Sequence, residues 1–147
     1  LREVLQSTIT EMDLSIQAAH GTVLVNMPEA EAWVEGDRFH LSHAFRNLLD
    51  NALKYTEANP VIDVRVEQRD QCYAVIFDDN GVGISSQNKE LIFKKFHRIP
   101  KGNLHDQKGF GIGLSYVKMI IEDHRGTIRA LNKSQAGSQF ELIIPAL

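Results

Sequence analysis

The chain has 147 residues, the size of one ordinary domain, and its 43% hydrophobic content suffices for one core. A formal charge of −3 excludes a nucleic-acid binder that relies on bulk positive charge. A single cysteine excludes a disulfide framework and a multi-thiolate zinc site.

The ends of the chain and its apolar runs also bear on its class. No apolar run approaches the ~18 residues that a membrane span requires, so this stretch is expected to make no membrane contact. The first residue is Leu and no signal-like segment follows it. We therefore expect the chain to be part of a longer protein.

The first half of the chain predicts two helices separated by a short strand. Apolar side chains recur at helical spacing over residues 1–19. Residues 22–26 are typical of a strand, and a short run near 32–34 is expected to pair with it. Asp37 is a suitable N-cap for a strongly amphipathic helix over residues 39–55.

The second half predicts two pairs of strands around a loop and a helix. Residues 61–67 and 72–79 form the first pair, with a hairpin turn at Arg69-Asp70. A short helix over 86–93, a long polar loop over 94–107 and a helix over 109–123 come next, before strands at 127–132 and 139–144. Because helices and strands do not alternate regularly, we expect a mixed sheet covered on one face by helices.

A stripe of polar side chains lies on helix 39–55, apart from its apolar face. It contains Asn47, Asn51 and Lys54 at helical spacing. A solvated helix surface would explain the stripe. However, Asn is a middling helix former, an amide oxygen suits Mg²⁺, and a lysine one turn further on can meet phosphate oxygens. The stripe is therefore either solvated surface or part of a magnesium–phosphate site.

A second motif, Asp78-Asp79-Asn80-Gly81-Val82-Gly83, follows the strand at 72–79. An ordinary turn after a strand would have this composition. Alternatively, an ionised carboxylate can accept a hydrogen bond from the exocyclic amine of adenine, whereas guanine presents a carbonyl there. Gly81 and Gly83 would let the backbone approach a flat ring closely.

The third motif, Lys108-Gly109-Phe110-Gly111-Ile112-Gly113-Leu114-Ser115, opens the helix over 109–123. Backbone N–H groups at a helix N-terminus bind anions, and glycines remove side chains that would block a phosphate. Its spacing fits neither the dinucleotide-binding fingerprint nor the P-loop. A flexible loop that leads into a helix is the alternative.

In this order and spacing, the three motifs resemble the ATP-binding catalytic domain of bacterial sensor histidine kinases. That domain belongs to a superfamily shared with type II topoisomerases, mismatch-repair ATPases and heat-shock chaperone ATPases. The resemblance implies one domain over residues 1–147, an α+β two-layer sandwich whose mixed, mostly antiparallel sheet carries three helices on one face. Residues 1–19 would be its first helix or, in part, a linker from a preceding dimerisation domain.

The resemblance also assigns roles to residues. Asn51 is expected to bind Mg²⁺, Asp79 to read adenine, and Asn47, Asn51, Lys54 and Arg98 to act in catalysis. The residues expected to contact ATP are Asn51, Lys54, Tyr55, Asp79, Gly81, Gly83, Ile84, Phe96, Lys108, Gly109, Phe110, Gly111, Ile112, Gly113, Leu114 and Ser138. The loop over 94–108 would cover the nucleotide.

Three positions depart from the pattern of the family. Ile112 stands where the family commonly has leucine, which is a mild apolar change. The last helix commonly ends in His-Gly-Gly, whereas this chain has His124-Arg125-Gly126. His97 occupies a place where tyrosine is common, which weakens any expectation of ring stacking there.

The position of Asn47 separates the kinases of this superfamily from its hydrolases. Hydrolytic members carry a glutamate there as the general base for water, and an amide has no such basicity. None of the six histidines begins the acceptor motif H-[DE]-x-x-[TN]-P. We therefore expect a cytoplasmic domain that donates the γ-phosphate of ATP to a histidine on separate dimerisation helices.

The remaining partners are implied by the same resemblance. They are a downstream response regulator and a second copy of a homodimeric parent protein. A nucleotide-binding regulatory module and an ATP-hydrolysing relative remain the alternative functions.

Overall fold

The computed structural model describes residues 1–97, 111–131, 133 and 136–147. Its five-stranded sheet has the spatial order β1-β2-β3-β5-β4. The strands are β1 (Thr22–Asn26), β2 (Val61–Arg69), β3 (Cys72–Asp79), β4 (Thr127–Leu131) and β5 (Gln139–Pro145). The pair β1–β2 is parallel and the other pairs are antiparallel, which confirms the mixed, mostly antiparallel sheet.

The helices form a second layer on one face of this sheet. They are α1 (Arg2–Glu11), α2 (Asp13–Ala18), α3 (Arg38–Lys54) and α4 (Gly113–Asp123), with a short 3-10 turn at Leu91–Phe93. α3 begins as predicted, because the Asp37 side chain accepts a hydrogen bond from the His40 N–H at 2.9 Å. Among the described helices, none combines the length and the hydrophobicity required to cross a bilayer.

The core lies between the two layers. Alternate residues of β2 and β3, such as Val64 and Val75, face the helices and are fully buried. α3 contributes Leu41, Phe45 and Leu48 at helical spacing, and the Phe45 ring centroid lies 5.8 Å from that of Phe77. This packing fixes the end of α3 beside the end of β3.

The N-terminal region differs from the sequence prediction in two ways. The helix expected over 1–19 breaks at Met12, where φ −95° and ψ 1° leave helical geometry, although Met12 itself stays buried. The strand expected near 32–34 is wrong. The carbonyl of Trp33 accepts a hydrogen bond from the Leu147 N–H at 3.0 Å, and β1 pairs with β2.

Two predictions in the second half also need correction. The helix expected over 109–123 begins only at Gly113, because Gly111 has φ +70°, which is incompatible with a right-handed helix. The helix expected over 86–93 is reduced to turns and the 3-10 segment at Leu91–Phe93. The long loop falls largely on residues 98–110, which lie outside the described part of the chain.

Candidate functional site

The Asp79 carboxylate lies at the end of β3, 7% exposed, in a position fixed by backbone contacts. Its Oδ1 accepts hydrogen bonds from the N–H of Gly81 at 2.8 Å and of Ser138 at 3.0 Å. Within the described part of the chain, no hydrogen bond reaches Oδ2. One carboxylate oxygen is thus held by the protein, while the other remains available to a ligand.

The electrostatic surroundings of Asp79 act in opposite directions. Burial raises the pKa of this carboxyl above its ordinary value and outweighs the other influences. The two backbone N–H groups and the ammonium of Lys133 lower the pKa, whereas the neighbouring Asp78 raises it. Ionisation of Asp79 is therefore less favourable than ionisation of an exposed aspartate.

Glycines allow the chain to close around Asp79. A Cβ at Gly81 would lie 2.6 Å from the Tyr55 carbonyl oxygen, and one at Gly137 would lie 1.8 Å from the Asp79 carbonyl oxygen. Gly137 also has φ +117°, a conformation that side-chain-bearing residues rarely adopt. Gly83 has φ +79° and packs against Gly137. Close packing of the protein against itself therefore requires these glycines, in addition to any approach of a ligand ring.

The end of α3 is joined to the same turn. The Tyr55 carbonyl accepts a hydrogen bond from the Val82 N–H at 3.0 Å. The half-buried Asn51 lies one turn earlier, and no hydrogen bond between described residues engages its side chain. Lys54 lies on the exposed side of the same end of the helix. The structure thus brings the first and second motifs together.

Asn47 is engaged within the protein. Its Nδ2 donates a hydrogen bond to the His43 carbonyl at 2.8 Å. Its Oδ1 faces the start of α4, where a Cβ at Gly113 would approach it to 2.9 Å. Asn47 therefore connects the first motif with the third.

The start of α4 completes the described part of the site. Ile112 and Leu114 flank Gly113, and Ile112 is 46% exposed. The Gly111 carbonyl accepts a hydrogen bond from the N–H of Phe96 at 2.9 Å, and the Phe96 ring is exposed. The remaining predicted residues, Arg98, Lys108, Gly109 and Phe110, lie outside the described residues.

Two further predicted residues hold the site in place through contacts within the protein. Ile84 packs against the hydrophobic core, and the buried Ser138 supplies the N–H that holds Asp79. Lys133 was not singled out by sequence reasoning. Its Nζ forms an ion pair with Asp78 and donates to the Asp79 carbonyl at 2.8 Å. No local pattern marks this lysine, because its partners are more than fifty residues away in the chain.

The set of donor atoms limits the chemistry. No group of three or more His, Cys, Asp or Glu side chains in the described chain could hold a metal ion without help. The amide of Asn51, which no other described side chain or backbone group engages, fits Mg²⁺, which commonly takes one or two protein oxygens and completes its shell with phosphate and water. The arrangement can hold an amine-bearing ring at Asp79 and an anion near α4.

A groove in the described chain lies away from these residues. It has a volume of about 550 Å³, lies between α1 and the edge strand β1, and includes Ile9 and Val25 among its lining residues. None of the predicted site residues lines it. The groove therefore does not bear on the site at the end of β3.

Comparison with known proteins yields consistent matches. Residues 36–147 match the family described as "Histidine kinase-, DNA gyrase B-, and HSP90-like ATPase". The chain is 37% identical over 147 residues to sensor protein RprX of Bacteroides fragilis, covering 99% of this chain and 28% of that protein. The chain thus spans between a quarter and a third of the length of this relative.

Solved structures agree with this result over nearly the whole chain. The mycobacterial sensor histidine kinase MprB superposes with a TM-score of 0.85 at 26% identity, covering 99% of this chain and 95% of that chain. Histidine kinase ThkA, in complex with the response regulator protein TrrA, gives a TM-score of 0.83 at 26% identity. That match covers 100% of this chain and 40% of that chain.

Proposed function

This chain belongs to the histidine kinase-, DNA gyrase B- and HSP90-like ATPase family, and from that premise we propose that it is the catalytic domain of a sensor histidine kinase. In this proposal it binds Mg-ATP and donates the γ-phosphate to a histidine on a separate dimerisation domain. The relatives support this assignment because RprX and MprB are both named as sensor proteins or sensor histidine kinases.

The position of Asp79 carries the proposal. Most buried polar side-chain atoms have a hydrogen-bond partner in the protein or in ordered water. Here Oδ1 accepts two backbone hydrogen bonds, while Oδ2 has none within the described residues. The exocyclic amine of adenine can donate to this oxygen, whereas the carbonyl of guanine would be repelled.

The end of α3 supplies the groups proposed for the phosphates. Asn51 would hold Mg²⁺ through its amide oxygen, and Lys54 and Tyr55 would contact phosphate oxygens. The backbone N–H groups around Gly111 and Gly113 would bind the phosphates at the start of α4. When bound, Mg²⁺ neutralises the negative charge that develops during phosphoryl transfer.

The chemistry at Asn47 favours transfer over hydrolysis. Its amide is engaged by the His43 carbonyl and faces Gly113, and an amide cannot remove a proton from water at neutral pH. The domain would therefore hold ATP until an acceptor histidine arrives from outside. Outside the described residues, Arg98 is proposed to face the γ-phosphate, and Lys108, Gly109 and Phe110 to cover the nucleotide.

The partners follow from the same assignment. We infer that upstream helices carry the acceptor histidine and dimerise the parent protein. A response regulator would then receive the phosphoryl group, and ThkA, whose structure includes the response regulator TrrA, supports this part. We expect the domain to work in the cytoplasm.

A titration with a fluorescent ATP analogue tests the binding part of this proposal. The chain should bind the analogue more tightly with Mg²⁺ than without it, and ATP should displace the analogue better than GTP. Asn51→Ala should weaken the Mg²⁺-dependent binding at least about tenfold and leave the circular dichroism spectrum unchanged. Asn26→Ala, at the exposed edge of β1, is the matched control and should bind normally.

Two results would contradict this proposal. One is equal displacement by ATP and GTP. The other is an unchanged Mg²⁺ requirement in Asn51→Ala. If the chain bound ATP but transferred phosphate neither to histidine nor to water, the regulatory module would be the better assignment.

A further inference from the structure

Lys133 occupies an unusual environment for a lysine. Its side chain is only 17% exposed, whereas lysine is rarely buried unless it is paired. The ammonium forms an ion pair with the Asp78 carboxylate on β3 and donates a hydrogen bond to the Asp79 carbonyl at 2.8 Å. Lys133 therefore touches the strand end that presents the Asp79 carboxylate.

The same contacts join Lys133, which lies in the turn between β4 and β5, to the end of β3. Lys133 lies at one side of this turn and Ser138, whose N–H holds the Asp79 carboxylate, lies at the other. Between them, Gly137 packs so closely on Asp79 that a Cβ there would also lie 3.0 Å from the Lys133 ammonium. A backbone hydrogen bond from the Asp79 N–H to the Ser138 carbonyl at 2.9 Å joins the same two residues, and the Lys133 ammonium adds a side-chain contact to this strand end.

Charge is the second consequence of this contact. Asp78 places a negative charge next to Asp79, and its other oxygen accepts a hydrogen bond from Gln139 at 2.8 Å. On β2, Arg65 approaches Asp78 to 3.7 Å but pairs more closely with Asp63, at 2.6 Å. From the helical layer, α3 ends at Lys54, and the Tyr55 carbonyl accepts a hydrogen bond from the N–H of Val82 in the turn after β3. Lys133 is thus the described cation in direct contact with both Asp78 and the Asp79 backbone.

We propose that Lys133 is a positioning and selectivity residue of the nucleotide site. By pairing with Asp78 and donating to the Asp79 carbonyl, it holds the strand end that presents the Asp79 carboxylate to the adenine amine. This inference rests on the proposed ATP binding and deepens it. It predicts that removing the ammonium weakens adenine recognition.

The test compares Lys133→Met and Lys133→Gln with the wild-type chain by ATP-analogue titration, across a series from mildly acidic to neutral pH. Both variants should bind roughly three- to tenfold more weakly at neutral pH, and their preference for ATP over GTP should narrow. Without the ammonium, the pKa of Asp79 rises further, so binding should fail at a higher pH than in the wild type. The glutamine of Lys133→Gln retains a donor for the Asp79 carbonyl, so this variant still tests the role of the charge if Lys133→Met does not fold.

Two further variants separate this role from general stability. Lys118→Met removes a surface lysine that pairs with Glu122 on α4, and its binding and pH profile should match the wild type. Lys133→Arg keeps the charge and should retain most of the binding. Adding Asp78→Asn to Lys133→Met removes the carboxylate that the lysine neutralised, so the pH at which binding fails should return toward the wild-type value.

The outcomes distinguish this inference from the function on which it rests. If the wild type prefers ATP and Lys133→Met and Lys133→Gln share its affinity and pH profile, the role of Lys133 is refuted while ATP binding stands. If the wild type binds no adenine nucleotide, both are refuted. Loss of binding that is independent of pH and equal for ATP and GTP would also refute the inference.

Discussion

Asp79 combines a proposed ligand-binding role with a cost to the stability of the fold. Because burial raises its pKa, the folded chain without ligand loses stability as the pH rises from the ordinary aspartate pKa through the raised value. Asp79→Asn should therefore unfold at a higher urea concentration at neutral pH and lose this pH dependence. Asp70→Asn, in the exposed β2–β3 turn, is the control and should leave both properties unchanged.

Asp79→Asn should also impair the proposed binding of ATP. An amide presents a donor or an acceptor, so the selectivity of the carboxylate for the adenine amine is lost. ATP affinity should fall roughly ten- to a hundredfold, as expected for one charge-assisted hydrogen bond, and the preference over GTP should narrow. Competition titration measures both, and ATP affinity within a factor of about two of the wild type would contradict the role of Asp79.

Arg125 stands where the family pattern has glycine, and the structure gives that departure a physical meaning. Its φ of +57° is left-handed, which costs a residue with a Cβ about 1–2 kcal/mol. Arg125→Gly should therefore be more stable than Arg125→Ala by about 1 kcal/mol in urea denaturation. Both variants lose the exposed contact with Glu35, so the difference between their stabilities reports the strain of the backbone at this position. Equal stability of Arg125→Gly and Arg125→Ala would contradict the claim that the backbone is strained at this position.

At the scale of elements, a buried carboxylate joins three strands on the face of the sheet that the helices do not cover. Glu141 on β5 is 3% exposed and pairs with Arg69 at 2.6 Å and with Arg129 at 2.5 Å. Burial alone would raise the pKa of Glu141, but the hydrogen bonds from the two guanidinium groups prevail and lower it. The stabilisation is therefore present above the ordinary glutamate pKa and is lost as the pH falls through the lowered value.

Removing this charge should loosen the contacts between β2, β4 and β5. Glu141→Gln should lower the free energy of unfolding by about 1–2 kcal/mol at neutral pH, because both arginines are partly exposed and regain water. Glu67→Gln, which breaks a surface contact with the same Arg69, should cost less than about 1 kcal/mol. Equal losses in the two variants, measured by urea denaturation, would show that burial of Glu141 contributes nothing.

Local signals predicted the elements well where the chemistry is local. The Asp37 cap, the amphipathic pattern of α3 and the alternation in β2 are properties of neighbouring residues, and all three are confirmed. The segment near residues 32–34 failed because its backbone pairs with the C-terminal end of the chain. The late start of α4 depends on the left-handed Gly111, which the glycine run alone did not reveal.

For the whole molecule, motif order predicted the layered fold and the family. It did not predict which contacts assemble the site. The approach of Gly113 to Asn47, the hold of Ser138 on Asp79 and the position of Lys133 are all long-range. Such contacts depend on packing between layers, which periodicity within one element does not encode. The roles of the individual site residues therefore remain predictions.

The central claim is that this chain holds ATP for transfer to a histidine that it does not itself supply. Incubation with ATP labelled on the γ-phosphate tests it directly, with the chain alone and with the upstream helices of its parent protein as a separate chain. Alone, the chain should bind ATP and neither label itself nor release phosphate appreciably. With the helices, label should appear on them in an acid-labile, base-stable form, as expected for phosphohistidine. Stable labelling of the isolated chain, or rapid phosphate release from it, would contradict the account.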